Sequence, residues 1–286
     1  MRSRCFYARK RLRRQEECDI IPKEKTRSRR TKTKMKYCYL EDFRLTYSQM
    51  DPNMHLNLFS AASISQDLIT KLFALVECDN IQIALRRHAV WVIAKTRMHI
   101  NHMPPCSSTV HTTSVFTHIS PYRVEMESRF TNDKDELLMV VRQLLCPISM
   151  ETRKPITIYE VDFPENAEPD EKLLEDPYLR MRYDFSAEEP VFRRTVRSSD
   201  IDFSRHFNNC MAIKYVYDTR PVAYWDTHRL TDFEVLYIAE TLENEKLSVF
   251  AAELEDGTEY LLRTEEHDCI RAWCRTEEKE NRKWNW

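Results

Sequence analysis

The chain has 286 residues, 44 Lys and Arg against 46 Asp and Glu, and 42% hydrophobic residues. Its only glycine is Gly257, where ordinary usage would give roughly 20, and this excludes GxxxxGK[ST] phosphate loops, GxGxxG dinucleotide turns and GxSxG nucleophile elbows. The nine cysteines are scattered and never spaced CxxC, and no window approaches the ~18 apolar residues of a membrane span, which argues against metal sites, a disulfide framework and a membrane helix and favours a reducing compartment.

In chain order, residues 1–36 hold 15 Lys and Arg against 4 Asp and Glu, whereas the remainder is net −13. Residues 1–35 have few apolar residues and no periodicity, so they read as a disordered basic arm. Such an arm suits RNA, an acidic partner, a membrane surface or organelle targeting. A strand is expected over 37–47. Residues 57–76 carry helical apolar spacing at Leu58, Ala61, Ala62, Ile64, Leu68, Ile69, Leu72 and Phe73. Strands are then expected over 88–100, 109–120, 122–130 and 137–147, as a four-stranded meander. The acid- and proline-rich stretch 159–185 reads as a linker. Beyond it the plan repeats: strand 192–197, helix 208–219, and strands over 233–242, 247–254, 260–265 and 269–275. The order predicts an α+β fold, each half a long helix wrapped by an antiparallel sheet, with domains over 36–158 and 186–280.

The repeat extends to individual residues. Asp51-Pro52-Asn53-Met54-His55-Leu56-Asn57 matches Asp202-Phe203-Ser204-Arg205-His206-Phe207-Asn208, and each heptad precedes the helix of its half. The N-terminus of a helix exposes backbone N–H groups at the positive end of its dipole, where a carbonyl oxygen would be polarised. Asp, His and Asn in the preceding turn can bring a carboxylate, an imidazole and an amide to one point. They can equally cap the helix and satisfy one another.

The run Ser199-Asp200-Ile201-Asp202-Phe203-Ser204-Arg205-His206-Phe207-Asn208-Asn209, followed by Lys214-Tyr215, resembles the SD[IL]D-x-N-x-H-x-NN-x3-KY signature of acyl-ACP thioesterases, the double-hotdog enzymes of bacteria and plant plastids. Gln66, the strand start Ala89-Val90-Trp91-Val92, Pro121-Tyr122-Arg123, Glu151-Thr152-Arg153-Lys154-Pro155 and the final hairpin through Arg275-Thr276-Glu277 fit the same pattern in the same order, over roughly 36–278.

The resemblance implies a tandem double hotdog that hydrolyses fatty acyl-ACP to free fatty acid and holo-ACP, without metal or organic cofactor. It places the catalytic Asp on Asp202, the His on His206, the motif Asn on Ser204 and a further catalytic Glu on Glu240. Thr241 stands where plant members have Cys, so no thiol nucleophile is available there. Asn208 and Asn209 would bind substrate at the helix start. Phe59, Ile64, Leu68 and Trp91 would line an acyl pocket in the first half. Either carboxylate could activate water, or Asp202 could attack directly through a mixed anhydride. Alternatives are an acyl-CoA thioesterase or hydratase of the same fold, or a non-hydrolytic acyl-thioester binder. The implied partner is the acyl carrier protein. Nucleic acid is not expected on the core, and the assembly is a monomer (a pseudo-dimer of hotdogs) or a homodimer. A cytoplasmic location is expected, or a plastid one if 1–35 is a transit segment.

Overall fold

The computed structural model describes residues 34–279, and the basic arm predicted for 1–35 lies outside them apart from its last two positions. Strand β1 (Cys38–Arg44) leads to helices α1 (Leu58–Leu75) and α2 (Asn80–Arg87). Strands β2 (Ala89–Ile100), β3 (Thr109–Ser120), β4 (Arg123–Thr131) and β5 (Leu137–Ser149) complete the first half. The second half repeats the order with β6 (Phe192–Thr195), α3 (Asn209–Tyr217), α4 (Val222–Thr227), β7 (His228–Tyr237), β8 (Lys246–Leu254), β9 (Gly257–Arg263) and β10 (Asp268–Glu278). The ten strands form one sheet in the order β1-β3-β4-β5-β2-β7-β10-β9-β8-β6.

The two halves thus have the same topology, and they meet through antiparallel pairing of β2 with β7, from Lys95 opposite Leu236 to His99 opposite Asp232. This corrects the expected meander. Strands β3, β4 and β5 are sequential neighbours, but β2 pairs with β5 and β7 and not with β3. Having both neighbours on its flanks makes β2 an interior strand, which explains its long run of apolar and β-branched residues. Helices α2 and α4 were not anticipated. Among the residues of α2 only Ile83 is buried, and α4 is six residues long, so neither carries a readable apolar stripe.

Helix α1 buries Leu58, Ala61, Ala62, Ile64, Leu68, Ile69, Leu72 and Phe73 along one side, the spacing expected of a 3.6-residue period. Its first half shares a core with Cys210, Met211, Ile213 and Val216 of α3 and with Met98, Phe233 and Val235 of the central strands. Its second half packs in a separate cluster with Trp91, Phe116 and Phe163. Full burial of a leucine such as Leu68 contributes about 1.5–3 kcal/mol.

The other face of the sheet is crossed by the segment between the halves. Glu127, Arg142, Arg97, Glu234, Trp273 and Glu259 stand opposite one another on β4, β5, β2, β7, β10 and β9, a single row across six strands. Glu127 accepts the N–H groups of Leu173 (2.9 Å) and Leu174 (3.1 Å), and Arg142 donates to the carbonyl of Asp176 at 2.7 Å. Arg97 donates to Pro177 O at 2.7 Å, Glu234 accepts Leu179 N–H at 2.8 Å, and Glu259 accepts Tyr183 N–H at 3.1 Å. Over residues 173–183 these side chains satisfy the backbone groups of the strap. Burial pushes the Glu234 carboxyl above its ordinary value, against the opposing pull of Leu179 N–H and Arg97.

Gly257 opens β9 opposite Leu254, outside the two-residue turn Glu255–Asp256. Its φ is 156°, and a Cβ there would lie 2.7 Å from Trp273 Nε1 and closer still to the Cys274 carbonyl oxygen. Close approach, and not turn geometry, therefore requires this glycine. Gly257→Ala is expected to lower stability by about 1–3 kcal/mol in denaturant unfolding, and an unchanged midpoint would contradict that reason. His111 on β3 bonds Asp42 of β1 at 2.8 Å and Asp133 at 2.9 Å. Burial alone would lower its pKa, but the hydrogen bonds it donates to both aspartates outweigh that and raise it. Its stabilisation is therefore complete below the unfolded value of about 6.5 and is lost as pH rises through the folded value. His111→Gln should depress the melting temperature more at pH 5.5 than at pH 9; equal depression at both would show that the histidine's charge does not matter.

Candidate active site

The duplicated heptads fold into the same turn, 151 residues apart. Asp51 N–H donates to His55 O (2.7 Å) as Asp202 N–H donates to His206 O (2.9 Å), and the pairs Met50–Leu56 and Ile201–Phe207 form matching bridges. Met54 and Arg205 take the left-handed conformation, with φ of 60° and 66°. Asn57 and Asn208 cap the helices that follow, accepting from Ser60 N–H (2.7 Å) and Cys210 N–H (2.8 Å). The carboxamide of Asn208 is thereby occupied at the first turn of α3, and Asn209 lends its carbonyl to the Tyr237 hydroxyl at 3.4 Å.

In the second half the turn carries a chain of polar contacts. Asp202 Oδ1 accepts from Ser204 N–H (2.8 Å), from the Ser204 hydroxyl (2.5 Å) and from His206 N–H (3.4 Å). Ser204 Oγ lies 3.2 Å from His206 Nδ1, and His206 Nε2 lies 3.3 Å from Glu240 Oε2. The four residues Asp202, Ser204, His206 and Glu240 are therefore joined in that order. All these contacts are made together when both ring nitrogens carry protons: Nδ1–H donates to Ser204, Nε2–H donates to Glu240, and the serine proton goes to Asp202. A neutral ring leaves one nitrogen lone pair for another donor. The side chain of His206 is 28% exposed and that of Glu240 is 48% exposed, so the free end of the chain opens to solvent.

Glu240 is not on a strand. The strand expected over 233–242 begins earlier and ends at Tyr237. Beyond it, Ile238 and Ala239 N–H both donate to Cys269 O (2.8 and 3.1 Å), and Phe207 N–H donates to Thr241 O at 2.8 Å. These bonds hold the segment against the His206 turn. Thr241 itself is buried. Arg153, from the turn after β5 in the first half, forms an ion pair with Glu240 Oε1. It lies in the run Glu151–Pro155, where nothing local in the sequence marks it as a partner of Glu240.

The remaining motif residues are structural. Asp200 is 1% exposed and accepts from the Tyr215 hydroxyl (3.0 Å) and Arg197 N–H (2.9 Å), which pins the turn to α3. The first-half turn is packed differently: Leu56 N–H donates to Pro104 O, Cys106 N–H to Met54 O, and the Asn53 amide to Trp225 O at 3.2 Å. Burial lowers the His55 pKa, opposed by Asp51. Ile64 and Leu68 are buried between α1 and α3 with Phe59 beside them, whereas Trp91 lies in the other cluster and donates its indole N–H to Cys78 O at 2.9 Å.

A small cavity between α1, α3 and the central strands is lined by Gln66, Thr96, Gln143, Asn209, Cys210 and Tyr237. Burial pushes the Cys210 thiol up to about 11, so it is not a nucleophile there. A larger polar groove lies at the opposite end of β7, with His99, Arg229, Asp232, Arg275 and Glu277 around it. Five of its charged or ionisable side chains pair with one another: Asp232 with His99 (2.8 Å) and Arg275 (2.5 Å), and Arg229 with Glu277 (2.7 Å). Among the described residues no group of three His, Cys, Asp or Glu could hold a metal ion, and no helix is long and apolar enough to cross a membrane.

Comparison with known proteins agrees with this geometry. The acyl-ACP thioesterase N-terminal domain matches residues 36–164 and the C-terminal domain matches residues 186–284. Among solved structures, an acyl-ACP thioesterase from Bacteroides thetaiotaomicron is similar with a TM-score of 0.76 and 18% identity, over 84% of this chain and 98% of that one. A 12:0-ACP thioesterase from Umbellularia californica is similar with a TM-score of 0.73 and 17% identity, over 85% and 98%. No curated protein sequence matches this chain. These two likenesses establish the double-hotdog fold, and the two domain matches, in order and across most of the sequence, show that the chain belongs to the acyl-ACP thioesterase family, hydrolases of fatty acyl-ACP in fatty acid metabolism.

Proposed function

We propose that the thioester is hydrolysed in the second half by a water molecule activated at Glu240 and His206, with Asp202 and Ser204 holding the imidazole. The observation that carries this reading is the pair of contacts on the His206 ring, Ser204 Oγ on Nδ1 and Glu240 Oε2 on Nε2. Asp202 Oδ1 accepts three donors of its own turn, which suits it to holding Ser204 and His206, whereas Glu240 stands directly on the imidazole. Glu240 is the solvent-facing carboxylate, and it can take a proton from water as the oxygen adds to the acyl carbon. The tetrahedral oxyanion then develops near the positive end of α3. Collapse breaks the C–S bond, and a proton carried by His206 goes to the departing thiolate. Products are the free fatty acid and the carrier's free thiol.

In this reading the domains are 36–158 and 186–280, joined by the linker 159–185, and the protein acts as a monomer whose two hotdogs stand in for a dimer. Phe59, Ile64 and Leu68 belong to the acyl side of the first half, while Trp91 supports it from the neighbouring cluster. Asn208 acts through its cap and Asn209 at the first turn of α3. Thiols at all seven described cysteines suit a reducing compartment such as the cytoplasm.

A thiol-release assay with acyl-ACP and acyl-CoA tests the reading. His206→Ala and Glu240→Gln are expected to lose about 10²–10⁴-fold in kcat, the usual range for a positioned acid or base. Asp51→Asn should stay within about threefold of wild type, since its turn packs beneath residues 104–106. Normal turnover in both second-half variants, with loss in Asp51→Asn, would move the chemistry to the first half. Absence of turnover on every thioester tried would favour an acyl binder.

A further inference from the structure

Glu240 presents a problem of orientation. It follows the end of β7, its side chain is half exposed, and a glutamate in such a segment samples several rotamers of similar energy. Its main chain is fixed on both sides. Ile238 and Ala239 are tied to Cys269, His267 Nε2 lies 3.3 Å from the Glu240 carbonyl oxygen, and Thr241 O accepts Phe207 N–H. None of these bonds selects the direction of the carboxylate. Arg153 does, because it pairs with Oε1 while Oε2 faces His206.

The backbone of Arg153 is held for this purpose. Arg153 N–H donates to Ser149 O (2.9 Å), Ser149 N–H to Lys154 O (3.0 Å), Thr152 N–H to Ser149 Oγ (3.2 Å), and Met150 N–H to His88 O (2.8 Å). The result is a closed turn at the end of β5, with Arg153 at φ 56°, a left-handed conformation uncommon for a residue other than glycine. A left-handed arginine at an exposed turn, where Asn or Gly would be easier, has its guanidinium on the carboxylate of the other half.

We propose that Arg153 is a positioning residue for the reaction: the first hotdog supplies the cation that aims the second hotdog's Glu240 at His206. The proposal rests on the hydrolytic reading above and adds a division of labour between the halves. Ion pairs this exposed contribute little to folding, while misplacing a reacting group by about 1 Å can cost 10²-fold in rate. The arginine should therefore act on kcat with little effect on stability.

Steady-state kinetics on acyl-ACP test it with three variants. Arg153→Gly removes the side chain while relaxing the left-handed backbone, so its melting temperature should equal or exceed that of wild type. Its kcat should fall about 10- to 100-fold with KM within twofold. Arg153→Lys, which keeps the charge, should recover at least half of the lost rate on a logarithmic scale. In the Glu240→Gln background, Arg153→Gly should produce no further loss, because the two residues act through one contact. A raised KM at normal kcat would overturn the proposal and assign Arg153 to the acidic carrier protein instead. Losses that multiply in the double variant would overturn it too, as would failure of lysine to rescue. If Glu240→Gln turns over normally, the hydrolytic reading fails and this inference with it; if Glu240→Gln is impaired and Arg153→Gly is not, the inference alone fails.

Discussion

The pairing of β2 with β7 is the contact on which the rest of the structure depends. Five consecutive residues of each strand, Lys95–His99 and Asp232–Leu236, turn two five-stranded sheets into one. Because side chains alternate along a strand, this register sets both faces at once. On one face Met98, Phe233 and Val235 meet beneath α1 and α3, so the helices share a core. On the other, Arg97 stands opposite Glu234 and joins two short charged series into one continuous row. A one-residue slip would reverse both faces, placing Arg97 under the helices and Met98 against the strap.

That row explains how a segment with several prolines can lie flat on a sheet. Five of its six members reach the strap backbone, and the acids take N–H groups where the arginines take carbonyls. Removing one member leaves a buried partner charge without compensation, which is costly in such pairs. The strap is thus bound to the seam it spans, and it carries the chain from β5 to β6 across the outer face. The same seam sets the ends of β5 and β7 near each other, which brings the turn holding Arg153 to the segment holding Glu240.

What could be read from the sequence follows the range of the interactions. The Asp202, Ser204 and His206 contacts lie within one turn, and the repeat of Asp51, Asn53 and His55 at 151 residues marks that turn in the sequence. Helix α1 was legible because nearly two-thirds of its length is apolar on a 3.6-residue period. The strands were legible in position but not in order, since β2 carries no mark that distinguishes a partner in β5 from one in β3. Glu127, Arg142, Glu234 and Glu259 carry no mark of burial in the sequence, because only the sheet and strap together bury them. Glu240 was assigned to a strand that ends three residues before it. Arg153 had no signal of its own: its pairing depends on a contact across 87 positions, and a left-handed arginine cannot be recognised without the backbone. The single glycine excludes whole classes of glycine-dependent sites, and it stands where a Cβ would strike Trp273.

The division of roles between carboxylates is the centre of the account. Asp202 engages its own turn through Oδ1, whereas Glu240 faces solvent beside an imidazole whose other nitrogen is held. Water, and not the protein, should therefore supply the new oxygen of the product. A single turnover of acyl-ACP by excess enzyme in ¹⁸O-labelled water measures this directly, by mass spectrometry of the fatty acid and of the peptides containing Asp202 and Glu240. The account predicts one labelled oxygen in the fatty acid and none in either side chain. Label entering the carboxylate of Asp202 or Glu240 would contradict it and establish an anhydride intermediate.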